Sequence, residues 1–170
     1  SVKSKLLLQT LSASGIAIAL YFSPGFETYL NIPFFKNVTP DLGLWYIPFA
    51  VLIIVGFSNA VNLTDGLDGL AIGPIIVAFI SYIIFSYSAG HIKIASYLQI
   101  PYIAGSGELS VLCGAIMGTG LGFLWYNSYP AEIFMGDVGS LPIGAVLGTV
   151  AVITKQELVL ILVGGLFVFE

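Results

Sequence analysis

The apolar positions of this 170-residue chain fall in long unbroken runs rather than in alternation. Six can be drawn, over residues 6–22, 44–58, 70–86, 109–126, 141–153 and 158–169. Continuous runs predict helices, because the strand of a membrane barrel alternates apolar and polar residues. A straight membrane crossing takes about 20 residues, with a range of roughly 17 to 25. The fifth and sixth runs fall short, so they either extend into flanking loops or form partial, broken or re-entrant segments. The pattern predicts an all-α, polytopic transmembrane helix bundle of about six spans, forming a single integral membrane domain over residues 1–170.

Small residues stripe several runs. Gly114 and Gly118 are four apart, as are Gly144 and Gly148. That spacing predicts close helix packing in lipid. Pro74 and Pro142 fall near the starts of runs, where proline suits the first helical turn. Two spans separate the polar segment around residues 59–71 from the one around 127–140. Both should therefore lie on one side of the membrane, with residues 23–43 and 87–108 on the other. Lysines do not settle which side is cytoplasmic: Lys3 and Lys5 stand against Lys36, Lys93 and Lys155.

Composition supports the membrane reading. Hydrophobic residues make up 58% of the chain and charged residues 8%, where a soluble domain carries about 25% charged. Mean hydropathy is +1.02. Net charge is −4 and no basic stretch exists, which excludes nucleic-acid binding. Cys113 is the only cysteine, and in an apolar run it is expected to be a small buried hydrophobe. His91 is the only histidine and makes no metal cluster by itself. Asn37 opens a glycosylation-type triplet too short to be specific. Trp125, Tyr126 and Tyr129 fit an interfacial aromatic belt. Without an initiator Met, and ending on an apolar run, the chain is expected to be a central piece of a longer protein.

The chemistry is concentrated in the two polar segments. The first reads Asn59-Ala-Val-Asn62-Leu-Thr-Asp65-Gly-Leu-Asp68-Gly-Leu-Ala71. If it continues helically into the next run, Asn62, Asp65 and Asp68 share one face. An amide and two carboxylates there can ligate Mg²⁺ or hydrogen-bond a sugar or base. Gly66 and Gly69 would admit a ligand closely. Ordinary N-capping is the competing explanation. The second segment reads Asn127-Ser-Tyr-Pro-Ala-Glu-Ile-Phe134-Met-Gly-Asp137-Val-Gly-Ser140. Asp137 stands just before a helical run, where backbone NH groups favour phosphate, and could hold the bridging Mg²⁺. Phe134 and Asn127 could supply a stacking face and a directional amide. Glu132 is expected to be a solvated loop charge. Carboxylates at the edge of hydrocarbon mark function by default.

The segments 59–71 and 130–140 resemble the signatures of the phospho-N-acetylmuramoyl-pentapeptide transferases, within the polyprenyl-phosphate N-acetylhexosamine-1-phosphate transferases. The likeness extends along most of the chain, including Pro33-Phe-Phe-Lys36 and Ala95-Ser-Tyr-Leu98. It implies a bacterial inner-membrane enzyme of about ten spans in peptidoglycan synthesis, with a Mg²⁺-dependent site facing the cytoplasm. Phospho-MurNAc-pentapeptide would pass from UDP-MurNAc-pentapeptide to undecaprenyl phosphate, giving lipid I and UMP. By motif position, Asp137 is the metal ligand and Asn62 and Asp65 belong to the catalytic cleft. Asp68 and Asn127 bind the uridine end, Gly66 and Leu67 line that pocket, Phe134 stacks on uracil, and Ser140 is a substrate-binding residue. A homodimer is a candidate assembly.

The family also has an adjacent Asp-Asp pair and a histidine-rich loop, both absent from this sequence. The 170-residue piece alone is therefore expected to be inactive. Three alternatives remain: a sister enzyme moving GlcNAc-1-phosphate to the same lipid, a cation-coupled transporter, and a non-catalytic scaffold. Transporter sites tend to lie at the bilayer midplane, whereas these aspartates flank the ends of runs.

Overall fold

The computed structural model describes residues 2–33, 35, 38–165 and 167. Lys36, Asn37 and the far end of the sixth run lie outside the described residues. Among these residues seven α-helices follow in order: α1 (Val2–Tyr21), α2 (Tyr46–Thr64), α3 (Ile72–Gly90), α4 (Ile92–Leu98), α5 (Leu109–Asn127), α6 (Gly136–Ile153) and α7 (Glu157–Val163). Short 3₁₀ turns, Gly43–Trp45 and Ser106–Glu108, lead into α2 and α5. Among the described residues the only β pairing is an isolated antiparallel bridge between Tyr29 and Asp41.

Among the described residues, four segments are long and apolar enough to cross a membrane: Gly43–Thr64, Ile72–Gly90, Ser106–Asn127 and Gly136–Ile153. The polytopic helix bundle is thus present. Four of the six runs are matched among the described residues, and the first and sixth are not. Helix α1 has 20 residues but carries Lys3, Lys5, Gln9 and Thr10 in its first half. Helix α7 has seven residues, Glu157–Val163, and the end of the sixth run lies outside the described residues. The short fifth run extends into its flanking loop, so that α6 begins at Gly136 rather than Leu141. As a consequence Pro142 lies inside the helix, where it removes one ladder hydrogen bond instead of fitting the first turn. Pro74, third residue of α3, does sit in its first turn.

Helix α2 packs chiefly on α6 and α1, and α3 on α5. The α2–α6 contact is backbone against backbone. A Cβ at Gly144 would come 2.5 Å from the Phe57 carbonyl oxygen and 2.8 Å from Ser58 Cα; one at Gly148 would come 2.9 Å from Ile54 Cα. This is the close packing that small residues permit. Gly114 and Gly118 behave differently: a Cβ on either meets nothing within 4 Å. The inward stripe of α5 runs through Cys113, Gly120 and Asn127 instead. Gly114 is one residue, or about 100° of helix rotation, away from that stripe.

Both polar segments lie at one end of the bundle. At the opposite end, the turn between α6 and α7 is anchored in the core. The Tyr46 hydroxyl donates to the Glu157 carboxylate, and the Tyr82 hydroxyl donates to the Gln156 carbonyl at 2.9 Å. The Lys155 ammonium lies 3.9 Å from the ring centroids of Phe26 and Tyr46, a cation–π arrangement. Burial there pushes its pKa down to about 8.

Candidate functional site

Helix α2 ends at Thr64, and Asp65 already has non-helical backbone. The chain then turns through residues 65–71 before α3 begins. Asn62 therefore sits on the last turn of α2, while Asp65 and Asp68 belong to the turn that follows. The expected single helical face for these three residues does not form. The break is local: Asp65, at φ −77 and ψ 53, already leaves the helical region, and Gly69, with φ +71, then turns the chain toward α3 in a conformation glycine adopts without strain. The helix-capping explanation is not met either, since no side chain caps α3.

Asn62 nonetheless reaches the second segment. Its Nδ2 donates to Asp137 Oδ1 at 2.7 Å and to Ser140 Oγ at 2.8 Å. Asp137 lies in the first turn of α6 and Ser140 one turn on. Ser140 is fully buried and donates to the Gly136 carbonyl at 2.9 Å. The fourth member is Lys5. Its ammonium donates to Asn62 Oδ1 at 2.8 Å and to Asp137 Oδ2 at 3.2 Å. The Asp137 side chain is 65% exposed and that of Lys5 31%, so this ion pair faces solvent and contributes little to stability. What it offers is an accessible carboxylate beside an accessible cation, with an amide fixing their geometry.

One helical turn deeper, a second polar layer continues the first. Asn59 Nδ2 donates to Gln9 Oε1 at 3.0 Å, Gln9 Nε2 to Ser58 Oγ at 3.3 Å, and Ser58 Oγ to the Leu141 carbonyl at 2.9 Å. The three helices α1, α2 and α6 are thus tied by side chains at two successive levels.

The remaining candidates join the two segments to each other. Asp68 Oδ2 accepts from the Ala131 backbone NH at 3.0 Å. Asn127 is buried; its Oδ1 accepts from the Gly69 NH at 3.1 Å and its Nδ2 donates to the Ile133 carbonyl at 2.8 Å. A Cβ at Gly69 would lie 3.6 Å from the Asn127 carbonyl oxygen. Leu67 and Phe134 are 69% and 70% exposed, large apolar side chains turned to the outside on the two joined segments. Gly66 is exposed beside Leu67, and Asp65 is half-buried. Glu132 is exposed, as a solvated loop charge would be.

Lys5 was not among the sequence candidates, because next to Lys3 it reads as the charged flank of a span. The available signal was Lys5 with Gln9 and Ser12, a polar stripe at helical spacing on an otherwise apolar helix.

Mg²⁺ commonly keeps several waters and binds through one or two carboxylates together with substrate phosphates. No group of three acidic, histidine or cysteine side chains could hold a metal among the described residues. One exposed Asp137 carboxylate beside a fixed amide suits that sparse mode of binding and would not suit an all-protein cage.

The fold and the site together define a polytopic membrane protein with a carboxylate, amide and ammonium cluster at one end of its bundle. More narrowly, the chain belongs to glycosyl transferase family 4, whose family model matches residues 1–155. Among similar proteins is the phospho-N-acetylmuramoyl-pentapeptide-transferase of Desulforapulum autotrophicum, 62% identical over 170 residues, covering 100% of this chain and 47% of the relative. Those of Citrifermentans bemidjiense and Pelobacter propionicus are 62% and 61% identical, again over the whole of this chain and 48% of theirs. The chain thus spans about half the length of the curated relatives it matches.

Proposed function

We propose that the full protein transfers phospho-MurNAc-pentapeptide from its UDP carrier to undecaprenyl phosphate, releasing UMP and forming lipid I at a cytoplasm-facing site of a bacterial inner membrane. The observation that carries this is the meeting of Lys5, Asn62, Asp137 and Ser140 at one end of the bundle. A soluble nucleotide and a membrane lipid can meet only at the membrane surface, and the cluster lies at a helix terminus rather than at mid-span. The names of the relatives support the same chemistry.

In this reaction a phosphate oxygen of the lipid attacks the β-phosphorus of the nucleotide sugar, and UMP leaves with the bonding electrons. Two anionic substrates repel, so positioned positive charge is the main requirement. Lys5 supplies one cation. Asp137 would hold Mg²⁺, which neutralises pyrophosphate charge when bound. Asn62 fixes the Asp137 carboxylate by donating from Nδ2 to Asp137 Oδ1. Phe134 and Leu67 offer apolar faces for the base, with Gly66 beside them. Asp65 stands within the same turn as a further cleft carboxylate. Asp68 and Asn127 would bind the uridine end in this proposal, and their hydrogen bonds across the two segments are consistent with a pocket at that joint. The 170-residue chain alone is expected to show no turnover.

The test is UMP release by the full-length protein. Release from UDP-MurNAc-pentapeptide with undecaprenyl phosphate, requiring Mg²⁺, is the expected result. Release only from UDP-GlcNAc would assign the sister reaction instead. No release from either donor would overturn the proposal.

A further inference from the structure

The end of the bundle opposite the polar cluster holds a second concentration of charge, which the proposed transfer does not use. Lys155 is 3% exposed and Glu157 is fully buried. Among the described residues neither Lys155 Nζ nor Glu157 Oε2 has a hydrogen-bond partner. Buried ionic atoms without hydrogen bonds are costly and rare. The rings of Phe26 and Tyr46 attract the ammonium through their faces, but such contacts leave its three N–H donors without acceptor oxygens. Beside it is a cavity of about 320 Å³, walled by Leu20, Tyr29, Tyr102, Ile153 and Lys155, with the exposed Glu27 on its rim. That is near the lower end of the roughly 300–1,000 Å³ typical of small-molecule sites. An adjoining hollow of about 420 Å³ shares Glu27 and Tyr29 and adds Asp41. Asp41 accepts from the Thr28 hydroxyl and from the Gly43 NH, and these bonds hold its carboxyl below the usual carboxylate range.

The charges select the class of ligand. Lys155 stands among three carboxylates near enough to act on it, those of Glu157, Glu27 and Asp41. A simple anion would pair with Lys155 but meet these carboxylates. A simple cation would suit Glu27 and Asp41 but leave the ammonium without an acceptor. A zwitterion answers both, with its anionic group inward and its ammonium at the rim. Leu20 and Ile153 lie at the ends of α1 and α6, so the cavity sits where the bundle meets the membrane surface. We infer that it binds the headgroup of a zwitterionic phospholipid from the leaflet opposite the proposed site, with the phosphate at Lys155 and the ammonium between Glu27 and Asp41. Water alone would satisfy the polar atoms but gain nothing from the apolar walls. A soluble phosphoethanolamine ester lacks the chains that Leu20 and Ile153 would meet. Binding here does not depend on the transfer reaction.

The experiment uses the full-length protein, stripped of lipid in detergent and titrated with phosphatidylethanolamine or with phosphatidylglycerol. Bound lipid is counted by native mass spectrometry. Phosphatidylethanolamine should bind at least tenfold more tightly than phosphatidylglycerol, whose headgroup carries no ammonium. Glu27→Gln, a change at an exposed loop position, should reduce that preference at least fivefold, and so should Lys155→Met. Glu132→Gln removes an exposed carboxylate at the other end of the bundle and should leave the preference unchanged. Should Lys155→Met fail to fold, Glu27→Gln decides the matter. Equal affinity for the two lipids, or a preference that Glu27→Gln leaves intact, would overturn the inference. So would loss of the preference in Glu132→Gln, which would place the lipid at the wrong end. Displacement of the lipid by an equal concentration of glycerophosphoethanolamine would also overturn it, since the ligand would then be a soluble zwitterion. No retained lipid of either kind would leave water as the partner of Lys155 and refute the site.

Discussion

Asn62 is the residue on which the site geometry turns. Its oxygen accepts from Lys5 and its nitrogen donates to Asp137 and Ser140, so one amide orients both charges. Replacing it with Asp would put a carboxylate against Asp137 and remove the donor. Asn62→Asp in the full-length protein should lower kcat by about 10²–10³, the scale of losing one positioned electrostatic contact. In the proposed reaction Lys5→Met should lower kcat/KM for both substrates, because it deletes a cation that would face two anions. Steady-state UMP release measures both. A Lys5→Met enzyme at wild-type kcat/KM would remove Lys5 from the site.

At the scale of elements, the α2–α6 contact is the most closely packed joint bearing on the site. Leucine at Gly148 would have to displace the Ile54 backbone. Gly148→Leu should destabilise by roughly 1–3 kcal/mol or more, as overpacking does, whereas Gly114→Leu should be nearly neutral. Thermal unfolding in detergent distinguishes them. The same helix ends near Lys155, whose folded pKa of about 8 lies below its ordinary value. The unfolded chain therefore binds more protons between about pH 8 and 10.5, and stability should rise with pH across that window. Below pH 8 the cost of the buried charge is fully present. Subtracting a Lys155→Met profile from wild type should isolate this rise, and identical profiles would show that Lys155 titrates normally.

The helices were legible because their apolar runs are long, and the shared end of the two polar segments followed from counting two spans between them. Boundaries were less legible. Gly136 and Asp137 read as loop residues, yet Gly136, with φ +63, turns the chain directly into α6. In the other segment, Gly66 and Gly69 gave no sequence sign of whether the helix continues or turns. The packing of Gly144 but not Gly114 depends on which helix lies opposite, and spacing within one run carries no such information. Lys5 was hidden for a related reason, because its partners are 57 and 132 positions away.

For the molecule as a whole, orientation is a separate prediction. Glu132 is exposed at the site end of the bundle, and Tyr102 is 50% exposed at the other. Cysteine at Glu132 should react with a membrane-impermeant maleimide only from the cytoplasmic side, and cysteine at Tyr102 only from outside. The reverse pattern would place the site in the wrong compartment for a nucleotide donor. The most direct test of the central claim is single-turnover UMP release by full-length Asp137→Asn with both substrates and Mg²⁺ saturating. The account predicts a fall of at least ~10³ with nucleotide binding retained, since the change removes transition-state charge stabilisation. A variant keeping more than about a tenth of the wild-type rate would contradict it.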